Sequence, residues 1–374
     1  MAPRRPAGAD AFPAQKVEPS GTRQPDSGPL YAALDLGTNS CRMLIARPTG
    51  GQFQVVDSFS KPVQLGQGLE ASGRLSRASM SRTVHALQVC RRKLEQHRVT
   101  NMRLVATEAC RRARNSRDFL RMIRRETGLP IEVIGAEEEA RLAVISCAPL
   151  VNQKTEQLLV VDIGGGSTEL VWIELSDVDP HERSRAIMRL GADFGAIRTG
   201  GARVVDWISV PLGVATLRDQ FADVTDDPGC FALMSWYFEE LLADFAPYAK
   251  GAPDHGFQII GTSGTVTTVA ASHLGLKRYD RTRVDGLTMT TAEIDAVIRD
   301  YLALGPEGRR NDPRIGRERH ALIMSGAAIL QTLMRIWPTR RLSVADRGLR
   351  EGLLYSQMVR DGAITADALN GVTG

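Results

Sequence analysis

A chain of 374 residues is long enough for two domains, each burying its own core, and 43% hydrophobic against 24% charged residues is the balance of an ordinary globular protein. Five scattered cysteines, an odd number with no C-x-x-C pair, argue against a disulfide framework and a zinc site, and fit a reducing cytoplasm. No stretch approaches the ~18 apolar residues of a membrane span, and no apolar segment follows Arg4 and Arg5 as an export signal would require.

The net charge is only +4, but it is unevenly placed. Between Arg74 and Arg125 stand 15 Lys/Arg against 3 Asp/Glu, a local excess of +12 that attracts polyanions. Phe119 is the one aromatic residue in that stretch, so a surface for stacking bases is disfavoured and nucleic acid is not the expected partner.

Residues 1–30 carry six Pro and three Gly and read as a disordered leader. From Tyr31 the pattern predicts strands at 31–36, 41–47 and 53–63, a helix at 76–97, a strand at 102–107, a helix at 116–127, a strand at 131–134 and a helix at 136–148. The helix at 76–97 has Ser76 as its cap, with Met80, Val84, Leu87 and Leu94 along one face. The second half begins the same way, with strands at 158–163, 168–175 and 205–211. A helix at 228–247, a strand at 257–261, helices at 265–275, 291–303 and 317–336, a strand at 342–345 and a last helix from Gly348 complete it. The stretch 176–204 reads as an insertion between the second and third strands of this half.

Two segments carry the clearest signal. Ala33-Leu34-Asp35-Leu36-Gly37-Thr38-Asn39-Ser40 and Val160-Val161-Asp162-Ile163-Gly164-Gly165-Gly166-Ser167-Thr168-Glu169 are both a strand, an Asp-x-Gly turn and a second strand, 127 residues apart. Glycine lets backbone N–H groups approach an anion closely, the Asp offers hard oxygen to Mg²⁺, and the hydroxyls donate to phosphate. A third element, Gly261-Thr262-Ser263-Gly264-Thr265, joins a strand to a helix N-terminus, a natural anion site. No Gly-x-x-x-x-Gly-Lys-Ser/Thr loop is present. The repeat predicts a duplicated α/β fold with a cleft between two lobes, 31–148 and 149–360, followed by a tail at 361–374.

Acidic residues crowd the start of the helix after Ile134, in Gly135-Ala136-Glu137-Glu138-Glu139-Ala140-Arg141. The helix dipole accounts for Glu137 and Glu138, whereas one carboxylate at a strand's carboxyl end is expected to face the ligand crevice. Upstream, Ala106-Thr107-Glu108-Ala109-Cys110-Arg111-Arg112-Ala113-Arg114-Asn115 brings arginines to the same edge.

With these segments and Leu349-Arg350-Glu351-Gly352, the chain over roughly 31–358 resembles the exopolyphosphatase and guanosine pentaphosphate phosphatase (Ppx/GppA) family, of the actin, Hsp70 and sugar-kinase superfamily. The resemblance implies a duplicated actin-like ATPase (ribonuclease H-like) fold and release of terminal phosphate from inorganic polyphosphate. Guanosine pentaphosphate (pppGpp) is the rival substrate, and a catalytically silent binder of polyphosphate or stringent-response nucleotides is the rival of another class. It implies Glu139 as general base and Arg111 as a phosphate-holding catalytic residue. Asp162 and Glu169 become residues of catalysis and metal binding. Asn39, Ser40, Gly164, Gly165, Gly166, Ser167, Thr168, Ser263, Gly264 and Thr265 become phosphate contacts, and Arg319 matches a basic residue on the polyphosphate path. Mg²⁺, or another divalent cation, is expected on Asp162 with Asp35 or Glu169. A homodimer formed through the second lobe is implied by resemblance alone. Many relatives continue into a helical His-Asp-type domain that helps build a basic channel. This sequence has no His-Asp dipeptide, so the resemblance does not carry processive action on long chains over to it. A Glu beside arginines at a helix start is expected to have a lowered pKa and to stay ionised.

Overall fold

The computed structural model describes residues 28–190, 194, 201–253, 255–316 and 319–365. The leader up to residue 27, the tail beyond 365 and most of 191–200 lie outside them.

The first half forms β1 (Tyr31–Leu36), β2 (Ser40–Thr49), β3 (Gln52–Pro62), α1 (Leu69–Ser72), α2 (Arg77–Gln96), β4 (Asn101–Ala106), α3 (Glu108–Arg112), α4 (Ser116–Thr127), β5 (Glu132–Val133) and α5 (Ala136–Cys147). Its sheet has the order β3-β2-β1-β4-β5, with β1, β4 and β5 parallel and the β1-β2-β3 meander antiparallel. β1 carries apolar or aromatic, buried residues at every position except Asp35, so the single charge must sit where a cleft admits it. Ser76 caps α2 by accepting from the Ser79 N–H at 3.1 Å, and Gly128 ends α4 with φ 71°.

The second half contributes β6 (Gln157–Ile163), β7 (Thr168–Glu174), α6 (Arg183–Met188), β8 (Arg203–Val210), α7 (Val214–Gln220), α8 (Asp227–Glu240), β9 (Phe257–Thr262), α9 (Gly264–His273), α10 (Arg281–Val284), β10 (Thr288–Met289), α11 (Thr291–Asn311), α12 (Ile323–Ile336), β11 (Leu342–Ala345) and α13 (Leu349–Arg360). The order β8-β7-β6-β9-β11-β10 repeats that of the first sheet, with β10 added at the edge. Two mixed sheets of the same topology, flanked by helices, constitute the duplicated α/β actin-like fold.

Differences from the sequence pattern have local causes. The helix expected over 228–247 stops at Glu240, and a 3-10 turn over Ala246–Lys250 carries Pro247 at its start. The helix expected at 291–303 continues to Asn311 through a kink at Gly305 and Pro306. The helix expected from 317 starts at Ile323, because 319–322 form turns. The described part of the 176–204 stretch packs Val178, Ile187, Met188 and Phe194 into the core beside α5, and the Phe194 N–H donates to Glu137 at 3.1 Å.

Two helices tie the halves together. α5 leaves the first sheet and buries Ala140, Val144 and Ile145 against β6 and β7, while α13 returns from the second half to cover β1 and β2 with Leu349, Leu353, Leu354 and Met358. They cross at Gly352, where a Cβ would stand 2.1 Å from the Leu142 carbonyl oxygen, so the crossing admits only hydrogen.

Candidate functional site

The carboxyl ends of β1 and β6 and the turns after them open on one cleft of about 350 Å³. Its walls include Asp35, Asn39, Ser40, Glu139, Asp162, Gly164, Gly165, Gly166, Ser167, Ser263, Gly264, Thr265 and Arg319. Thirteen residues expected from sequence therefore meet in one place, drawn from both halves of the chain. Arg111, Thr168 and Glu169 are not among the lining residues.

The two turns meet across the cleft. A Cβ on Gly166 would stand 2.3 Å from the Thr38 hydroxyl oxygen, and one on Gly165 would stand 3.2 Å from the Asn39 backbone nitrogen. The carbonyls of Gly164 and Gly165 accept from the N–H groups of Val214 and Ala215 at 3.0 and 2.9 Å, which fixes the loop against the start of α7. The N–H groups of Gly165 and Gly166 have no acceptor among the described residues, so the loop presents donors without carbonyls to repel an anion. The Thr38 hydroxyl is buried and also lacks a partner among the described residues. Ser263 opens the third loop at φ 124°, a strained conformation for a residue with a Cβ, worth about 1–3 kcal/mol and typical of ligand-holding turns.

Glu139 lies on the first turn of α5, 9% exposed, and its carboxylate accepts from Arg111 Nη1 at 2.6 Å. Arg111 is held on all sides. Its Nε and Nη2 donate to Glu108 at 3.0 and 2.8 Å, and Nη1 also reaches the Ile134 carbonyl at 3.2 Å. The arginine expected at phosphate is thus engaged by two buried carboxylates and stands behind Glu139 rather than on the cleft wall. The expected lowering of the Glu139 pKa is overturned. Burial pushes it up to about 7, and Arg111 only partly offsets this while Asp35 and Asp162 add to it.

Asp35 and Asp162 occupy equivalent positions on β1 and β6. Burial raises both, Asp162 to about 7 with Asp35 as the next cause. Their partners across the hairpins differ: Asp35 faces Arg42, and Asp162 faces Glu169. Glu169 is buried behind the cleft wall, accepts from Ser209 Oγ at 2.9 Å and is driven to a raised pKa by burial and the nearby Glu139 charge. Thr168 is fully buried and its hydroxyl donates to the Leu212 carbonyl at 2.7 Å. Among the described residues no three His, Cys, Asp or Glu side chains group as a metal cage. Two hard carboxylates suit a cation that keeps most of its water, as Mg²⁺ does, better than one needing a full protein shell.

Sequence reading missed the cations that complete the cleft. Arg42 and Arg350 line it beside Arg319, and the guanidinium of Arg42 has no hydrogen bond or ion pair among the described residues. Burial and the charges of Arg350 and Arg319 lower its pKa, a strain that a bound anion relieves. The equal seven-residue offsets, Asp35 to Arg42 and Asp162 to Glu169, were the available signal. Arg319 is anchored to the third loop, donating to the Gly264 carbonyl at 2.9 Å and to the Thr268 hydroxyl.

Solved structures share this architecture. A Ppx/GppA family member from Aquifex aeolicus is 28% identical, with a TM-score of 0.69 over 89% of this chain and 98% of that one. An exopolyphosphatase-like protein is 28% identical at a TM-score of 0.72, covering 88% and 99% of the two chains. An exopolyphosphatase from Cytophaga hutchinsonii, 21% identical and with a TM-score of 0.73 over 90% and 99%, has the same fold. The model of the Ppx/GppA phosphatase family matches residues 44–361, from within β2 to the end of α13 and most of the chain, and the chain belongs to that family.

Proposed function

We propose that the protein hydrolyses the terminal phosphoanhydride of inorganic polyphosphate. The observation that carries this reading is one carboxylate, Glu139, held by Arg111 at the wall of a cleft whose other walls are glycine- and hydroxyl-rich turns and arginines. Glu139 takes a proton from water as the water oxygen attacks the terminal phosphorus. The bond from that phosphorus to the bridging oxygen breaks, leaving orthophosphate and a chain one unit shorter. General-base help of this kind contributes about 10²–10⁴ in rate, and prearranged donors for the developing charge contribute further. The N–H groups of Gly165 and Gly166 and the guanidinium of Arg42 supply those donors. Asp35 and Asp162 are the residues that would hold Mg²⁺, which supplies charge neutralisation at phosphate oxygens when bound.

A second reading, hydrolysis of guanosine pentaphosphate, is favoured by Tyr279. Its ring is exposed and its hydroxyl meets Asp346 and Thr267 of the cleft wall, where a guanine could stack. Phosphate release from long polyphosphate, tripolyphosphate, guanosine pentaphosphate and ATP, with Mg²⁺ and with EDTA, ranks the substrates. Glu139→Gln is expected to lower kcat by about 10²–10⁴ with substrate binding retained. Full turnover in that variant refutes the assignment, and full turnover in EDTA refutes the metal.

A further inference from the structure

The local excess of positive charge is organised on one surface of the first lobe, outside the cleft. Arg117, Arg121 and Arg124 of α4 are spaced four and three residues apart, the spacing that places side chains in a row along one helical face, and Arg114 lies in the turn that precedes the helix. All four are exposed. Arg121 pairs with Asp118, while Arg114, Arg117 and Arg124 have no ion pair among the described residues.

Topology gives the row a direction. β4 ends at the cleft, where Thr107 and Glu108 line the wall, and the chain then passes through α3 to Asn115. α4 leads on to β5, which is parallel to β4, so α4 must run back from the cleft edge along the lobe. Asn115 fastens this start: its carboxamide accepts from the Leu75 N–H at 2.8 Å and donates to the Leu75 carbonyl at 3.0 Å. Arg114 lies in the turn over Gly73, Arg117 begins the row on α4, and Arg124 is roughly 10 Å beyond Arg117 at 1.5 Å per helical residue. Phe119, the aromatic residue of this helix, is fully buried and offers nothing to a base.

We propose that this arginine row is a second site, which holds the distal part of a long polyanion without bases, inorganic polyphosphate, while its terminal phosphate occupies the cleft. The inference rests on the hydrolase reading above and adds to it a cause of chain-length preference. A short substrate ends before the row, whereas a long one reaches it and is held more tightly, by an attraction that weakens with salt.

The test compares Arg117→Gln/Arg121→Gln/Arg124→Gln with the wild type and with Arg299→Gln/Arg310→Gln, a control removing exposed arginines of α11 in the second lobe. Phosphate release is measured on long-chain polyphosphate and on tripolyphosphate across a range of NaCl concentrations. The triple variant is expected to raise KM for the long chain about tenfold and to flatten its dependence on log salt by about 2, near 0.7 for each phosphate no longer neutralised, with tripolyphosphate kinetics unaltered. Equal changes on both substrates, an equal effect of the control pair, or no change at all would overturn the proposal. Filter retention of labelled long-chain polyphosphate by Glu139→Gln, with and without the three substitutions, reads the row without turnover. If no substrate is hydrolysed but retention still depends on the row, the hydrolase reading fails and the second site stands. Single-stranded RNA displacing the label as well as unlabelled polyphosphate does would assign the row to nucleic acid and overturn the proposal.

Discussion

Gly352→Ala tests whether the crossing of α5 and α13 sets the position of Glu139. A Cβ at 352 would stand 2.1 Å from the Leu142 carbonyl oxygen and 2.7 Å from its carbon, and side-chain carbons do not come closer than about 3.0 Å to such atoms. The helices must therefore separate by about 0.9 Å, and Glu139 lies one turn before Leu142 on the displaced helix. A shift near 1 Å in a positioned group costs about 10² in rate. Overpacking of this kind costs about 1–3 kcal/mol, and the better helix propensity of Ala returns about 1 kcal/mol, leaving a net loss of about 0–2 kcal/mol. The expected outcome is a folded protein, slightly less stable, with kcat reduced about a hundredfold. Phosphate-release kinetics beside a urea melt measure both quantities. A variant as active as wild type and more stable would mean that the crossing yields without moving the site, and the proposed link between Gly352 and Glu139 would fall.

Arg111→Ala leaves two buried carboxylates without their shared cation, so stability is expected to fall by about 3–5 kcal/mol in a denaturant melt. Because Arg111 is what holds the Glu139 pKa down against burial, and the base acts ionised, the rising acidic limb of kcat/KM against pH is expected to move to higher pH; an unmoved limb in folded variant protein refutes the pairing. Thr168→Val is expected to cost about 1–3 kcal/mol by leaving the Leu212 carbonyl unpaired, with KM for polyphosphate unchanged, and a raised KM would return the hydroxyl to phosphate.

What could be read from the sequence was local. Both Asp-x-Gly hairpins follow from aliphatic runs broken by glycine, and their repetition gave the duplicated fold. Position in the fold marked one carboxylate of the Glu137–Glu139 cluster for the crevice, and the family resemblance, through the Ala-Arg dipeptide that follows, is what singled out Glu139. The errors arise where distant segments meet. Arg42 lies within an ordinary hydrophobic strand, and only the pairing of β1 with β2 places it beside Asp35. Arg111 is separated by 28 residues from Glu139 and stands three from Glu108, so its capture by both is a product of packing. The sign of the Glu139 pKa shift was misjudged because arginines are visible in a sequence and desolvation is not. Thr168 was grouped with the loop it follows, although the first residue of β7 is already inside the core.

The return of α13 to the first sheet bears on how the polypeptide is made. Tyr31, Ala33, Leu44, Ala46 and Val105 find their cover in Leu349, Leu353 and Leu354, and Gln357 donates to the Ala32 carbonyl at 3.3 Å. During synthesis the ribosome emits the earliest strands long before the helix that shields them, so this apolar face must wait, exposed, for some three hundred residues of translation. The nascent amino-terminal half is thus the segment of this molecule most in need of a chaperone's protection.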